Sequence, residues 1–99
     1  MLSLSKTVQA KEDLYEIWHF IAIEKQNPLN ADAFVFQLDA AFQVTVRTPE
    51  IGVMKEEYSK NIRQYIFGNY LIFYLIRIDD IQIVRVLHGK RDVPNLFEP

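Results

Sequence analysis

Two histidines, His19 and His88, and no cysteine set the chemistry open to this chain. Without cysteine there is no disulfide framework, no thiolate zinc site and no sulfur nucleophile. The histidines stand most of the chain apart, with no local set of carboxylates beside either. No metal and no organic cofactor is therefore expected. His88 is the candidate for acid–base work, since histidine is the residue type suited to it near neutral pH. Beside it stand Lys90 and Arg91, and further back Lys60 and Arg63. Cations so placed could meet an anionic partner. The charge is uneven: residues 1–54 carry four basic and seven acidic groups, residues 55–99 seven and six. The net charge of −2 rules out a molecule basic all over. It leaves room for a local basic face in the second half.

Arg85 is a different case. Strict alternation places it with Ile81, Ile83 and Leu87, opposite Val84 and Val86. An arginine among apolar neighbours is rarely buried unpaired. An ion pair within the fold is expected, with Asp92 or Glu57 as examples of the acid; the other reading makes that face a partner groove.

The elements that must position these residues follow from periodicity. Leu2 to Ser5 alternate as a short strand does. Leu14, Ile17, Trp18 and Ile21 share one helical face, Ala10 extends it backward and Thr7 caps it, which puts Trp18 in the core. Asn27-Pro28 closes this helix and opens a second through Ala31, Phe34, Val35, Leu38, Ala41 and Phe42, ended by Pro49 and Gly52. Tyr15 and Phe36 fall off the two stripes and are expected at the surface. Strands follow at Ile62–Phe67, Tyr70–Arg77 and Ile81–Leu87, turning at Gly68-Asn69 and Asp79-Asp80. Tyr70–Arg77, apolar on both faces, reads as the central strand. The order β-α-α-β-β-β predicts an α+β fold, an N-terminal helical hairpin on a small antiparallel sheet that the first strand rejoins. At 99 residues this is one domain, 1–99, without repeats or linkers. Composition is that of a globular protein, 49% apolar and 24% charged, and 13% aromatic leaves rings for a partner surface. The start lacks the apolar run of a signal peptide, and Tyr70–Ile76 is far too short to span a bilayer. A cytoplasmic location without membrane contact is expected.

Several blocks carry a resemblance: Asp13-Leu14-Tyr15-Glu16-Ile17-Trp18, Thr48-Pro49-Glu50-Ile51-Gly52, Asn69-Tyr70-Leu71-Ile72-Phe73-Tyr74, and Ile83 to Val93 with His88-Gly89-Lys90-Arg91. In order and spacing they resemble the RelE/ParE toxin superfamily, on its ParE side, over nearly the whole chain. Residues 53–61 follow the pattern loosely, and Asn61 stands where glycine is common.

The resemblance implies the toxin of a type II toxin–antitoxin system and a cognate antitoxin as partner. ParE-like members inhibit DNA gyrase on its bound DNA by binding; RelE-like members cut mRNA on the ribosome. Where the RelE side commonly has arginine this chain has Leu71, and where it has a tail tyrosine this chain has Phe97. No catalytic set is thus assigned, and a gyrase inhibitor that is not an enzyme is expected. The ribosome-dependent nuclease is the alternative, and an inactive member that binds its antitoxin as co-repressor is a second. Target contacts are assigned to Arg63 and Arg91, with Lys60, Lys90 and His88 beside them. Antitoxin contacts are assigned to Tyr15, Phe36, Val93, Leu96 and Phe97.

Overall fold

The computed structural model describes residues 2–89. Strand β1 is Ser3–Lys6 and helix α1 Val8–His19; a π-helical turn follows at Phe20–Glu24. Helix α2 is Pro28–Arg47, and a 3₁₀ turn occupies Pro49–Ile51. The remaining strands are β2 (Val53–Met54), β3 (Arg63–Phe67), β4 (Tyr70–Ile76) and β5 (Asp80–His88). They form one sheet in the order β1-β5-β4-β3-β2, which puts β4 at its centre. The expected α+β architecture holds. Strand β1 does rejoin the sheet, but parallel to β5, so the sheet is mixed. Strand β2, two residues long, was not foreseen.

The caps follow the residue types. The Thr7 hydroxyl accepts from the Ala10 N–H at 3.0 Å, and the Asn27 side chain accepts from the Asn30 N–H at 3.2 Å. Pro28 takes the first turn of α2. Between the helices Gln26 adopts a positive φ of 54°, and the Asn27 N–H reaches back to the Ile21 carbonyl at 3.1 Å. Glutamine thus takes the left-handed position after the helix, and the closing bond spans one residue more than in a Schellman motif. Gly68 has φ 59°, and Asn69 stays on the negative side, the pattern of a Gly-X hairpin turn. Asn61, where the resemblance expects glycine, also has a positive φ, 63°. Asparagine tolerates that conformation better than other side chains, so the departure keeps the turn.

One sheet face packs on the helices. Ala10, Ile17, Leu38 and Phe42 meet Ile72, Tyr74, Ile81, Ile83 and Val86 there. Phe34 of α2 lies 5.4 Å from the Tyr70 ring and 6.1 Å from the Phe67 ring, tying α2 to the β3–β4 hairpin. The opposite face holds a second cluster of Ile62, Phe73 and Leu87, with Tyr58 edge-on to Phe73.

Two packing expectations need correction. Phe73 pairs with Arg85 and Tyr74 with Ile83, so β5 carries a bulge at Val84. The extra residue shifts the alternation: Ile83 and Val86 face the helices, whereas Val84 and Leu87 face away. Trp18 is half-buried rather than core; its indole N–H donates to the Asp32 carboxylate at 2.8 Å across the helix pair. An indole needs a partner for its N–H, and the helix edge supplies one where the core does not.

Candidate functional site

Arg63, at the start of β3, is committed to the backbone. Its guanidinium donates to the Gly52 carbonyl at 2.7 Å and the Glu50 carbonyl at 3.4 Å. The Tyr74 hydroxyl works on the same turn, donating to the Pro49 carbonyl at 2.6 Å and accepting from the Gly52 N–H at 2.8 Å. Burial pushes the Tyr74 phenol above its ordinary pKa, with the Gly52 N–H and Arg63 pulling the other way. The hydroxyl therefore stays protonated and able to donate. Gly52 is required by contact: a Cβ there would lie 2.7 Å from the Tyr74 ring and hydroxyl. The Thr48–Gly52 block is thus a turn clamped by one phenol and one guanidinium.

Arg85 forms the expected ion pair, but with Asp13 of α1. Its Nε and Nη2 donate to the two carboxylate oxygens at 2.8 and 2.9 Å, and the Val86 N–H donates to the same carboxylate at 3.0 Å. Bonding to Asp13 raises the Arg85 pKa against the opposing effect of burial. Of the two acids named from sequence, Glu57 lies against Lys55, 3.9 Å away, and Asp92 lies outside the described residues. A signal for Asp13 existed: it is an acid set on the buried stripe between Ala10 and Ile17. Two charges in apolar surroundings, one on the helix and one on the strand, call for each other.

His88 ends β5 and meets the Tyr70 ring edge-on, with centroids 5.2 Å apart. It opens on a groove of about 350 Å³ between α1 and the adjoining ends of β4 and β5. Ile17 and Val86 supply its apolar floor and Phe20 and Tyr70 its aromatic walls, while Asp13, Glu16 and Glu24 bring three carboxylates. Sequence reading did not find this groove, because its residues come from four separate elements. Among the described residues no group of three His, Asp or Glu is placed to hold a metal ion.

Among the described residues, the target contacts Arg63 and His88 assigned from sequence lie apart. Arg63 pairs with Tyr74 and His88 with Tyr70, on opposite sides of β4 and four residues apart along it. That separates them by roughly 13 Å along the strand and about two strand spacings across it. Lys60 is exposed in the loop before β3. Tyr15 and Phe36 are exposed as expected, at 64% and 76%. Lys90, Arg91, Val93, Leu96 and Phe97 lie outside the described residues. Among the described residues no helix is long and apolar enough to cross a membrane.

Comparison with known proteins adds three findings. A search of curated proteins finds no match. Among solved structures, a chain of the chromosomal ParDE TA system from P. aeruginosa superposes with a TM-score of 0.75 at 19% identity, covering 91% of this chain and 98% of that one. At that identity the likeness speaks for the fold. The family profile described as ParE toxin of type II toxin-antitoxin system, parDE, matches residues 4–93, spanning both helices, most of β1, β2 to β5 and the Arg85–Asp13 pair. The chain belongs to the ParE toxin family of type II toxin–antitoxin systems.

Proposed function

We propose that this protein is a growth-arresting toxin that inhibits DNA gyrase by binding it, is not an enzyme, acts in the cytoplasm and is held in check by a cognate antitoxin. Family membership supports the toxin–antitoxin pairing. The exposed rings of Tyr15 and Phe36 support a partner surface on the helices, since large apolar side chains gain most from being covered.

The observation that carries the choice of mechanism is the company His88 keeps. A nuclease histidine needs cations around it to neutralise the phosphate. Among the described residues His88 shares its groove with Glu16 and Glu24, and Arg85 is bound to Asp13. Carboxylates in that position repel a phosphodiester. Arg63, already holding two carbonyls, stands far from it. A binder needs no such assembly; it has to favour one state of its target over another.

The test is gyrase supercoiling of plasmid DNA with increasing antitoxin-free protein, scored after protease treatment. Linear DNA accumulating with dose is the expected result. Intact supercoiled plasmid, with growth still arrested in cells, would move the target to the ribosome. Intact plasmid without growth arrest would leave an antitoxin-binding co-repressor.

A further inference from the structure

The groove beside His88 has features that the gyrase reading does not use. Asp13 is neutralised by Arg85, but Glu16 and Glu24 are exposed and form no ion pair among the described residues. Phe20, 45% exposed, and Ile23, 55% exposed, stand on the π-helical turn at the rim. That widened turn keeps Ala22 buried while presenting Phe20, Ile23 and Glu24 outward. Turns of this kind recur at functional sites.

We propose that this groove receives a cationic side chain, an arginine, carried by an amphipathic segment of the antitoxin. The inference rests on the toxin–antitoxin reading above and names the chemistry of that partner. Charge complementarity is the first argument: two exposed carboxylates border an apolar floor, so a cation gains there and an acidic segment is repelled. The aromatic lining is the second, because ring faces attract cations. Lys25 already stands 5.4 Å over the Phe20 ring, a cation held by this same wall. Arginine fits better than lysine, since a planar guanidinium stacks on a ring and forks a carboxylate at once. The apolar residues flanking it in the partner cover Phe20 and Ile23. At about 350 Å³ the groove takes a long side chain but not a whole helix.

The experiment is titration calorimetry of this protein with the purified product of the reading frame adjoining its gene, at low and at high salt. Three forms are compared: wild type, the double variant Glu16→Lys/Glu24→Lys, and Glu57→Lys as a control for charge reversal at an exposed carboxylate away from the groove. All three sites are exposed, and circular dichroism checks the fold. The double variant is expected to bind about tenfold more weakly or worse and to lose much of the salt dependence. The Glu57→Lys control should bind as wild type, and an arginine-to-glutamate change in the partner segment should recover binding to the double variant. Wild-type affinity in the double variant overturns the proposal while leaving the toxin–antitoxin reading in place; equal loss in the control overturns it too. If the double variant binds normally but melts lower, and Lys90→Glu/Arg91→Glu restores its melting temperature, the cation is this chain's own and the proposal fails. A partner that does not bind the wild-type chain sinks both readings.

Discussion

Tyr74→Phe removes one oxygen atom from the centre of the molecule and leaves the ring in place. Because the ring is fully buried and stays so, the change opens almost no cavity. What it takes away is the clamp on the Thr48–Gly52 turn. The Gly52 N–H, buried and 2.8 Å from that oxygen, loses its acceptor where water has no ready access. An orphaned buried donor costs about 1–3 kcal/mol. The Pro49 carbonyl, 2.6 Å away and only partly buried, can turn to water, so its lost bond costs about 0.5–1.5 kcal/mol. Together the substitution should cost about 1.5–4.5 kcal/mol, or roughly 6–36 °C in melting temperature for a domain of this size. Urea denaturation reads this as a lower midpoint at unchanged slope. A loss below about 1 kcal/mol would refute the clamp. Arg63→Gln, made alone and together with Tyr74→Phe, supplies the second arm. Both side chains hold the same turn, so their effects should depart from additivity by about 0.5 kcal/mol or more. Strict additivity would mean that they act on separate features.

Other consequences can be checked on the same protein. Asp13→Asn keeps the shape but removes the charge that holds Arg85, and should cost about 2–4 kcal/mol by chemical denaturation; a change under about 0.5 kcal/mol would mean the pair contributes no net stability. Asp80, bonded by Arg77 and then by Ser5, has its carboxyl lowered from 3.8 to about 2. A depressed carboxyl contributes stability that is present above the unfolded value and lost as pH falls through the folded one. Asp80→Asn should therefore flatten the stability profile between about pH 4 and pH 2, and an unchanged acid limb would contradict the assignment. Trp18→Ala, at a half-buried site, should cost about 1–2 kcal/mol, short of the roughly 3–5 kcal/mol of a core aromatic, and a loss in that upper range would place the indole in the core.

The architecture was largely legible from local chemistry. Ala10, Ile17, Leu38 and Phe42 recur at helical spacing and do form the buried stripes, and Thr7, Asn27 and Pro28 mark the helix starts that the structure has. Tyr15 and Phe36, off those stripes, are exposed. Trp18 was misplaced because periodicity reports which side of a helix a residue is on, not how far the partner helix covers it. Val86 and Leu87 were misassigned to faces because a single extra residue at Val84 inverts a period of two without altering composition. The π-helical turn left no mark in the apolar spacing of Leu14, Ile17 and Ile21.

For the site the division is sharper. The residue types and block order were sufficient, by themselves, to place this chain in a toxin family, to give it two helices on a sheet, and to say that Arg85 needs an acid. Which acid, and what Arg63 does, were decided by tertiary structure. Asp13 lies 72 residues before Arg85, and Arg63 meets the carbonyls of Glu50 and Gly52, groups every residue carries. The acidic groove, too, exists only once α1 is laid across the ends of β4 and β5. Local sequence encodes periodicity and caps because those depend on neighbours three or four residues away. Pairings between distant side chains depend on register and crossing angle, which the packing of the whole core sets.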